Sequence, residues 1–453
     1  MLWDQNTLQE AIDGVSNDMP FLARGISLNT RSIKDGDIFI AIDGGEAFVE
    51  DAFNKGAVCA IVPASADVDV NDKPIIRVDD TFQALVDMGQ YKRDNSKAKF
   101  IAITGSVGKT GTKNMLADVL SSQGETYSTK GNFNNHYGVP LTLASMPDTT
   151  EFAVIELGMS ARGEISNLVK QVRPDVALIT MIAECHIEFF ESIDGIAQAK
   201  SEIFEDLNGV AVINKSSPCF DLMERSALGN SAKIMTFGDE LGCDIKLNDY
   251  TCHEDSSDVE IKIKGDGILT YSLPIPGEHI VLNSCGVFAV LKALDLDLKE
   301  ASEKIEDIKA TEGRGEKTTV SISPDKTITI IDEAYNASPK AMIASVKKLS
   351  LVEHGRKILV IGDMLELGET SKELHLSIVP SILESNIDKV YCCGEFMRFV
   401  YDELPANLQG AYAENSEKLL PLLEKDVETG DNLLIKGSNG SKMGLIVNFF
   451  KDM

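Results

Sequence analysis

The sequence predicts an α/β protein with more than one domain. Two separate stretches of the chain alternate short apolar strands with helical patterns, which is typical of parallel sheets covered by helices. The 453 residues suit two to four domains at roughly 100–200 residues each. Hydrophobic residues make up 43% and charged residues 25%, so each domain can bury a core.

Residues 1 to about 93 form the first predicted region, a small mixed α/β domain. Two apolar runs, at residues 37–42 and 59–62, are typical of short buried strands, and helical patterns lie between and after them. The polar stretch at residues 92–97 follows, and its composition predicts a linker to the next region.

The second region opens with a strand at residues 100–104, a glycine-containing loop and a helix at residues 113–120. Further strands alternate with helices, which predicts a parallel sheet, and a polar alternating stretch predicts antiparallel strands appended to it. These further elements are the strands at residues 153–157, 176–181 and 210–213, the helix at residues 196–207 and the antiparallel stretch at residues 244–273.

The third region begins near Thr311 and repeats the alternation, which predicts a second doubly wound unit. Its predicted strands lie at residues 327–331, 357–361, 390–393 and 432–435, and its predicted helices at residues 339–351 and 443–450.

The composition excludes several classes of partner. A formal net charge of −28 repels nucleic acid and anionic membranes, so we expect neither as a partner.

The eight cysteines form no CxxC pair, which favours buried free thiols over a zinc site or a disulfide framework. No apolar run reaches the ~20 residues of a membrane helix, and the N-terminus lacks the features of a signal peptide, so we expect a cytoplasmic protein.

A phosphate-binding loop is predicted between the first strand and the first helix of the second region. Glycines let backbone N–H groups approach phosphate oxygens, and the helix N-terminus adds positive partial charge. Lys109 is expected to neutralise the β- and γ-phosphates of a nucleotide, and Thr110 to ligate Mg²⁺. Ile103 stands where the usual first glycine would be, and the motif alone does not separate ligases, kinases and GTPases. The predicted loop is Gly105-Ser106-Val107-Gly108-Lys109-Thr110.

Further short motifs follow the loop, and in their order and spacing they resemble the Mur ligase family. The resemblance runs from about Ser27 to Val447, and its most specific strings are Tyr-Asn-Ala-x-Pro and Gly-Asp-Met-x-Glu-Leu-Gly. The motifs are Asn132-Phe133-Asn134-Asn135, Glu156-Leu157-Gly158-Met159, His186-Ile187-Glu188, Ala199-Lys200-Ser201-Glu202, Pro276-Gly277-Glu278-His279, Gly313-Arg314-Gly315, Asp332-Glu333-Ala334-Tyr335-Asn336-Ala337-Ser338-Pro339, Gly362-Asp363-Met364-Leu365-Glu366-Leu367-Gly368 and Lys436-Gly437-Ser438.

The resemblance implies three domains and a reaction. The domains are a small α/β domain that binds a UDP-sugar (residues 1–95), a central P-loop, parallel-sheet ATPase domain (residues 96–311) and a C-terminal Rossmann-like domain that binds the incoming dipeptide (residues 312–453). The implied enzyme is a monomeric ligase that uses ATP and two Mg²⁺ ions. It joins D-alanyl-D-alanine to UDP-N-acetylmuramoyl-tripeptide through an acyl phosphate, a cytoplasmic step of the peptidoglycan synthesis on which cell shape and division depend.

The resemblance also assigns residues to roles. It implies that Lys109, His186 and Lys200 are catalytic, and that Thr110, Glu156, His186 and Lys200 hold metal, with Lys200 carbamylated. It implies further contacts of Asn283 with adenine, Arg314 with a phosphate and Asp332 with the ribose. The substrate contacts that it implies are Thr30, Arg31, Asn134, Asn135, Asn336, Ser338, Pro339, Asp363 and Lys436.

For some of these residues, a structural or surface role without a function in catalysis or binding stays open. From the residues alone, His186 is a satisfied polar side chain, Lys200 a solvated or ion-paired lysine, and Arg314 a linker arginine. Asn134 and Asn135 could shape a turn, and the Thr30-Arg31 pair could be plain surface. The segment after Gly45 also lacks the Asp-Gly-His typical of the family's first domain, so recognition of the uridine could differ.

Three alternative functions compete with this ligase. Another ligase of the same architecture would add a different amino acid, or glutamate to a folate, and Tyr335-Asn336-Ala337 argues against the folate ligases. A regulatory GTPase needs Asn-Lys-x-Asp, but Asn214-Lys215 is followed by Ser216-Ser217. A non-catalytic binding module would not need Lys109, Thr110, Glu156, His186 and Lys200 together.

Overall fold

The computed structural model describes residues 1–68, 72–184, 187–190, 192–205, 207, 209–230, 232–310 and 313–453, with Ile187 described by its backbone alone. The chain divides into two compact units. The first comprises Met1–Ile103, Gln123–Ala177 and Glu202–Gly209, and the second Thr104–Ser122, Leu178–Ser201 and Val210–Met453. The domain limits at residues 95/96 and 311/312 stay predictions.

The N-terminal residues fold around a five-stranded sheet. Its elements and their neighbours are β1 Trp3–Asp4, α1 Gln5–Ala11, β2 Val15–Ser16, β3 Leu22–Ala23, β4 Gly25–Ser27, β5 Asp37–Ile40, a 3₁₀ turn Gly45–Phe48, α2 Val49–Asn54, β6 Cys59–Pro63, β7 Ile75–Val78 and α3 Thr81–Asn95. The strand order is β2-β7-β6-β5-β4, with β4 to β7 parallel and β2 antiparallel at one edge. The two buried strands predicted here are confirmed.

The linker predicted at residues 92–97 is wrong over most of its length, because α3 continues to Asn95. Its first two residues, Lys92 and Arg93, have tertiary partners. Lys92 is 6% exposed and its Nζ lies 2.5 Å from a carboxylate oxygen of Asp148. Arg93 Nε donates to a carbonyl oxygen at 2.6 Å. Composition alone does not reveal such partners, so a buried polar helix end was indistinguishable from a linker.

The central region contains alternating strands and helices followed by a β-meander. Its elements are β8 Lys99–Thr104, α4 Lys109–Leu120, β9 Thr126–Ser128, α5 Gly138–Ala144, β10 Phe152–Glu156, α6 Glu164–Val172, β11 Val176–Ile179, 3₁₀ turn Ile187–Phe189, α7 Ile193–Ser201, 3₁₀ turn Glu202–Phe204, β12 Val210–Asn214, α8 Phe220–Gly229, β13 Lys233–Gly238, β14 Ile245–Cys252, β15 Ser257–Ile263, β16 Gly267–Leu273, α9 Glu278–Ala293, α10 Leu298–Lys304 and 3₁₀ turn Ile305–Asp307.

These strands have the sheet order β16-β15-β14-β13-β12-β11-β8-β10-β9. The pairs β8–β10, β9–β10, β12–β13 and β13–β14 are parallel, and β14, β15 and β16 are antiparallel. The predicted parallel sheet with appended antiparallel strands is therefore confirmed. The helix predicted at residues 196–207 ends early, at Ser201, and Glu202 instead accepts hydrogen bonds from two backbone N–H groups at the start of α6.

The third region is a doubly wound unit, as predicted. Its elements are β17 Glu316–Ser323, β18 Lys326–Glu333, α11 Pro339–Ser350, β19 Lys357–Gly362, 3₁₀ turn Gly368–Thr370, α12 Ser371–Leu376, α13 Val379–Leu383, β20 Lys389–Cys393, α14 Met397–Glu403, β21 Gln409–Ala413, α15 Ser416–Asp426, β22 Asn432–Lys436, 3₁₀ turn Asn439–Ser441 and α16 Gly444–Lys451. The strand order is β17-β18-β22-β19-β20-β21, all parallel except β17. Because β22 lies between β18 and β19, the carboxyl ends of these three strands meet where a doubly wound sheet binds its ligand.

The cysteines and the apolar helices bear on the class of protein. The seven cysteines among the described residues are free thiols, of which five are buried, as expected, whereas Cys219 and Cys252 are half-buried; Cys185 lies outside the described part. In the described part of the chain, no helix is long and apolar enough to cross a membrane.

Candidate active site

The predicted phosphate loop leads into a helix that begins at the loop's lysine. Gly108, with φ +86°, precedes α4, whose first residue is Lys109. Lys109 Nζ donates to Gly105 O at 2.7 Å, so its ammonium group folds back over the loop. The N-terminal end of this 12-residue helix and the lysine on its first turn concentrate positive charge at the loop.

Both loop glycines are required by their surroundings. A Cβ atom on Gly105 would lie 2.0 Å from Thr180 Oγ1, and one on Gly108 would lie 2.8 Å from Asn283 Nδ2. Thr180 Oγ1 also donates to Val107 O at 2.6 Å, which fixes the loop to the segment after β11. Asn283, predicted to meet the nucleotide, therefore touches the loop from α9.

The hydroxyl groups of the loop and of the first turn of α4 are buried. Ser106 Oγ is buried and has no hydrogen-bond partner among the described residues. Thr110 lies on the first turn of α4 and is 5% exposed. A buried hydroxyl without a partner is unfavourable unless a ligand completes it, so the loop fits an incoming phosphate.

Glu156, the predicted metal ligand, is the last residue of β10 and is in register with Ile103 of β8. Its side chain is 1% exposed, and Oε1 accepts a hydrogen bond from Asn134 Nδ2 at 2.8 Å. Oε2 is buried and has no hydrogen-bond partner in the described part of the chain. A buried carboxylate oxygen without a donor costs free energy unless a cation binds it. Glu156 therefore fits a metal ligand.

The other two predicted metal ligands are Lys200 and His186. Lys200 is 2% exposed and lies in the last turn of α7, so it is not a solvated surface lysine. His186 lies outside the described residues, and its role stays a prediction. The described residues contain no group of three His, Cys, Asp or Glu side chains that could hold a metal ion. The four predicted metal ligands do not form such a group, because two of them are Thr110 and Lys200.

The predicted nucleotide contacts of the third region lie close to one another. Arg314 stacks its guanidinium over the ring of Tyr335, 4.0 Å from the centroid. Asp332 is 5% exposed, accepts a hydrogen bond from Ala334 N at 3.0 Å and lies 3.8 Å from Lys451 Nζ. The stacking holds Arg314 beside the motif that contains Asp332.

Several predicted dipeptide contacts have structural tasks of their own. Ser338 Oγ caps α11, and Pro339 is the first residue of that helix. Asp363, directly after β19, accepts hydrogen bonds from two backbone N–H groups at 2.8 and 3.3 Å and lines a cavity of about 390 Å³. Asn336 is exposed, and its carbonyl oxygen accepts a hydrogen bond from Lys436 Nζ at 3.0 Å. Their contacts with substrate stay predictions.

The residues predicted to contact the sugar-nucleotide substrate differ in their structural surroundings. Asn134 bonds to Glu156, whereas Asn135 Oδ1 accepts hydrogen bonds from two backbone N–H groups at the start of α5, which is the turn role. Arg31 is exposed on the loop after β4, and Thr30 is half-buried beside it.

Sequence reasoning assigned no role to three residues that contact the site. Tyr335 and Glu333 lie inside a quoted motif, so the motif carried a signal for them. Thr180 follows β11, 75 residues after Gly105 by number, and no local pattern links the two.

Comparison with known proteins identifies the family. Two family models match: Mur ligase middle domain at residues 103–291, and Mur ligase, glutamate ligase domain at residues 313–439. A UDP-N-acetylmuramoyl-tripeptide–D-alanyl-D-alanine ligase from Rickettsia prowazekii is 38% identical, with the alignment covering 100% of each chain. The chain belongs to the Mur ligase family.

Solved structures support the assignment of this chain to the Mur ligase family. MurF from Acinetobacter baumannii superposes with a TM-score of 0.84 at 29% identity, covering 100% of this chain and 99% of that one. MurF ligase from Thermotoga maritima in complex with ADP gives 0.76 at 28% identity, with 95% and 97% covered. The predicted α/β fold with three Mur-ligase domains is therefore confirmed.

Proposed function

We propose that this Mur ligase joins D-alanyl-D-alanine to UDP-N-acetylmuramoyl-tripeptide at the expense of ATP, a step of peptidoglycan precursor synthesis. The observation that carries the proposal is its similarity, over the full length of both chains, to a ligase of that name. The lysine-bearing glycine loop supports the use of ATP.

The reaction brings two anions together. The C-terminal carboxylate of the tripeptide attacks the γ-phosphorus of ATP, which forms an acyl phosphate and releases ADP. The amine of D-alanyl-D-alanine then attacks the acyl carbon, loses a proton, and inorganic phosphate leaves. Since the chain carries a net charge of −28, Lys109 and the N-terminus of α4 supply the local positive potential that these steps need.

Two Mg²⁺ ions fit this chemistry, because bound Mg²⁺ would neutralise charge on the triphosphate and on the reacting carboxylate. The Thr110 hydroxyl and Glu156 Oε2, which has no hydrogen-bond partner among the described residues, are oxygen ligands of the type that Mg²⁺ prefers. Lys200 would become such a ligand only by carbamylation, and its 2% exposure supports an internal role. His186 completes the proposed set.

The remaining contacts divide between the three substrates. For ATP we assign Asn283 to the adenine, Arg314 to a phosphate and Asp332 to the ribose. The uridine end of the sugar nucleotide meets Thr30 and Arg31. The other substrate contacts are Asn134 and Asn135 for the sugar-peptide, and Asn336, Ser338, Pro339, Asp363 and Lys436 for the dipeptide.

A screen of substrate pairs tests the proposed reaction. We expect ATP-dependent phosphate release only when UDP-N-acetylmuramoyl-tripeptide and D-alanyl-D-alanine are both present. Mass spectrometry of the mixture is expected to show the sugar nucleotide joined to the dipeptide with loss of one water. Tripeptides ending in lysine and in a diamino diacid are tested side by side, and the faster reaction identifies the preferred third residue.

The same screen decides between related ligases. Each assay is repeated with D-alanine, L-alanine, D-glutamate or a diamino acid in place of the dipeptide. Full activity with any of these would assign the chain to a different branch of the family. Phosphate release without any acceptor would instead indicate an ATPase.

A matched pair of substitutions in α4 tests the Thr110 assignment. Thr110→Val is expected to lower kcat by about 10- to 100-fold, because it removes an oxygen ligand of Mg²⁺. Thr112→Val removes a hydroxyl that is buried without a hydrogen-bond partner among the described residues. We therefore expect it to keep activity and to raise the free energy of unfolding by about 0.5–1 kcal/mol. Equal losses of activity in both variants would show a packing effect and contradict the ligand assignment.

A further inference from the structure

A buried charge cluster lies at the carboxyl ends of β18 and β22. Glu333 Oε1 lies 3.3 Å from Lys348 Nζ, and Oε2 lies 3.4 Å from Lys436 Nζ. The three side chains are 12%, 8% and 7% exposed. Ser345 adds a hydroxyl that donates to the same carboxylate. One carboxylate thus holds two lysines that arrive from α11 and from the end of β22.

Each lysine also holds a backbone carbonyl of a segment assigned to a substrate. Lys348 Nζ donates to Gly315 O at 3.3 Å, next to Arg314. Lys436 Nζ donates to Asn336 O at 3.0 Å. A Cβ atom on Gly315, which has φ +104°, would lie 2.4 Å from Lys348 Nζ, so a glycine is needed for this approach.

The charges in the cluster depend on one another. Burial alone would raise the pKa of Glu333, but Lys436 and Lys348 outweigh it and hold the pKa at about 2. Burial lowers the pKa of Lys436, and Glu333 opposes that shift. Removing one partner of a buried ion pair leaves the others uncompensated, so the geometry of all three side chains depends on Glu333.

We propose that Glu333 is a positioning residue that, through Lys348 and Lys436, fixes the Arg314 segment and the Asn336 segment relative to each other. This inference rests on the proposed function, in which Arg314 meets the nucleotide and Asn336 the dipeptide. Glu333 need not contact either substrate. It sets where the two contacting segments lie, so its loss weakens binding of both.

Two neighbouring lysines of α11 provide the test. Lys348→Met is expected to raise the KM for ATP about three- to tenfold with kcat changed less than twofold, as for one lost charged hydrogen bond. Its effect on the KM for D-alanyl-D-alanine should be smaller. Lys347→Met is the control, because Lys347 is 67% exposed and 3.5 Å from Glu278. In the control, neither KM value nor kcat should change.

Glu333→Gln keeps the shape and removes the charge, and it is expected to raise both KM values about tenfold. If it does not fold, the Lys348 and Lys347 pair still decides the question. A lower melting temperature of Lys348→Met with unchanged KM values would overturn the proposal and leave Glu333 a purely structural residue.

A binding measurement separates this proposal from the proposed reaction. Calorimetric titration with ADP and Mg²⁺ needs no acceptor, and Lys348→Met should weaken ADP binding to a similar degree. Weaker binding in this variant supports the positioning role, even if the wild-type chain does not use D-alanyl-D-alanine. Unchanged ADP affinity in Lys348→Met, with wild-type ligation intact, contradicts it.

Discussion

Lys109→Ala is expected to reduce the rate of ligation by on the order of 10³-fold. Lys109 Nζ lies over the loop, 2.7 Å from Gly105 O, at the N-terminal end of α4. Removing one preorganised charge from such a site costs about 10²–10³ in kcat, and the strongly acidic chain offers little compensating potential. The measurement is steady-state phosphate release with both cosubstrates at saturation. Binding of ADP, followed by calorimetry, should also weaken.

Lys170→Ala is the matched control for the change in net charge. Lys170 is exposed in the last turn of α6, and its loss also makes the chain one charge more negative. We expect it to leave the rate unchanged. A rate for Lys109→Ala within tenfold of the wild type would remove the loop lysine from the mechanism.

Much of the fold can be predicted from the sequence, because buried strands are continuous apolar runs. Thus β5, β6, β8 and β19 follow directly from local composition. The predictions miss β17 and β21, the two edge strands of the third sheet, since these are half exposed and carry only a weak apolar signal. The end of α3 is mispredicted for the opposite reason, because the polar residue Lys92 is buried there and paired with Asp148.

The site divides in the same way. The loop of residues 105–110 is local, so strand, glycines and helix identify it from sequence. The need for glycine at Gly105 comes from Thr180, and the task of Glu333 comes from Lys348; both partners are distant in sequence and carry no motif. Motifs therefore predict which residues contribute to the site, whereas only the fold reveals which of them position other residues. Ser338, which caps α11, is an example.

Glu156→Gln is expected to lower activity while leaving the protein as stable or more stable. Glutamine keeps the shape of the side chain and can accept the hydrogen bond from Asn134 Nδ2 that Oε1 now accepts at 2.8 Å. It also neutralises a carboxylate whose Oε2 has no hydrogen-bond partner among the described residues, so the cost of burying a charge falls. Loss of a metal ligand should reduce kcat by about 10²–10³-fold and raise the Mg²⁺ concentration needed for half-maximal rate.

A buried carboxylate that is fully paired should respond in the opposite way. Asp431, at the amino end of β22, is 1% exposed and accepts two hydrogen bonds from Arg356 at 2.7 and 2.8 Å. Asp431→Asn should lower the free energy of unfolding by about 2 kcal/mol and keep kcat, because its charge serves only the fold. Thermal unfolding without metal and turnover across a Mg²⁺ series measure both variants. If Glu156→Gln instead loses stability and keeps its rate at high Mg²⁺, then Glu156 supports the fold and does not hold the metal.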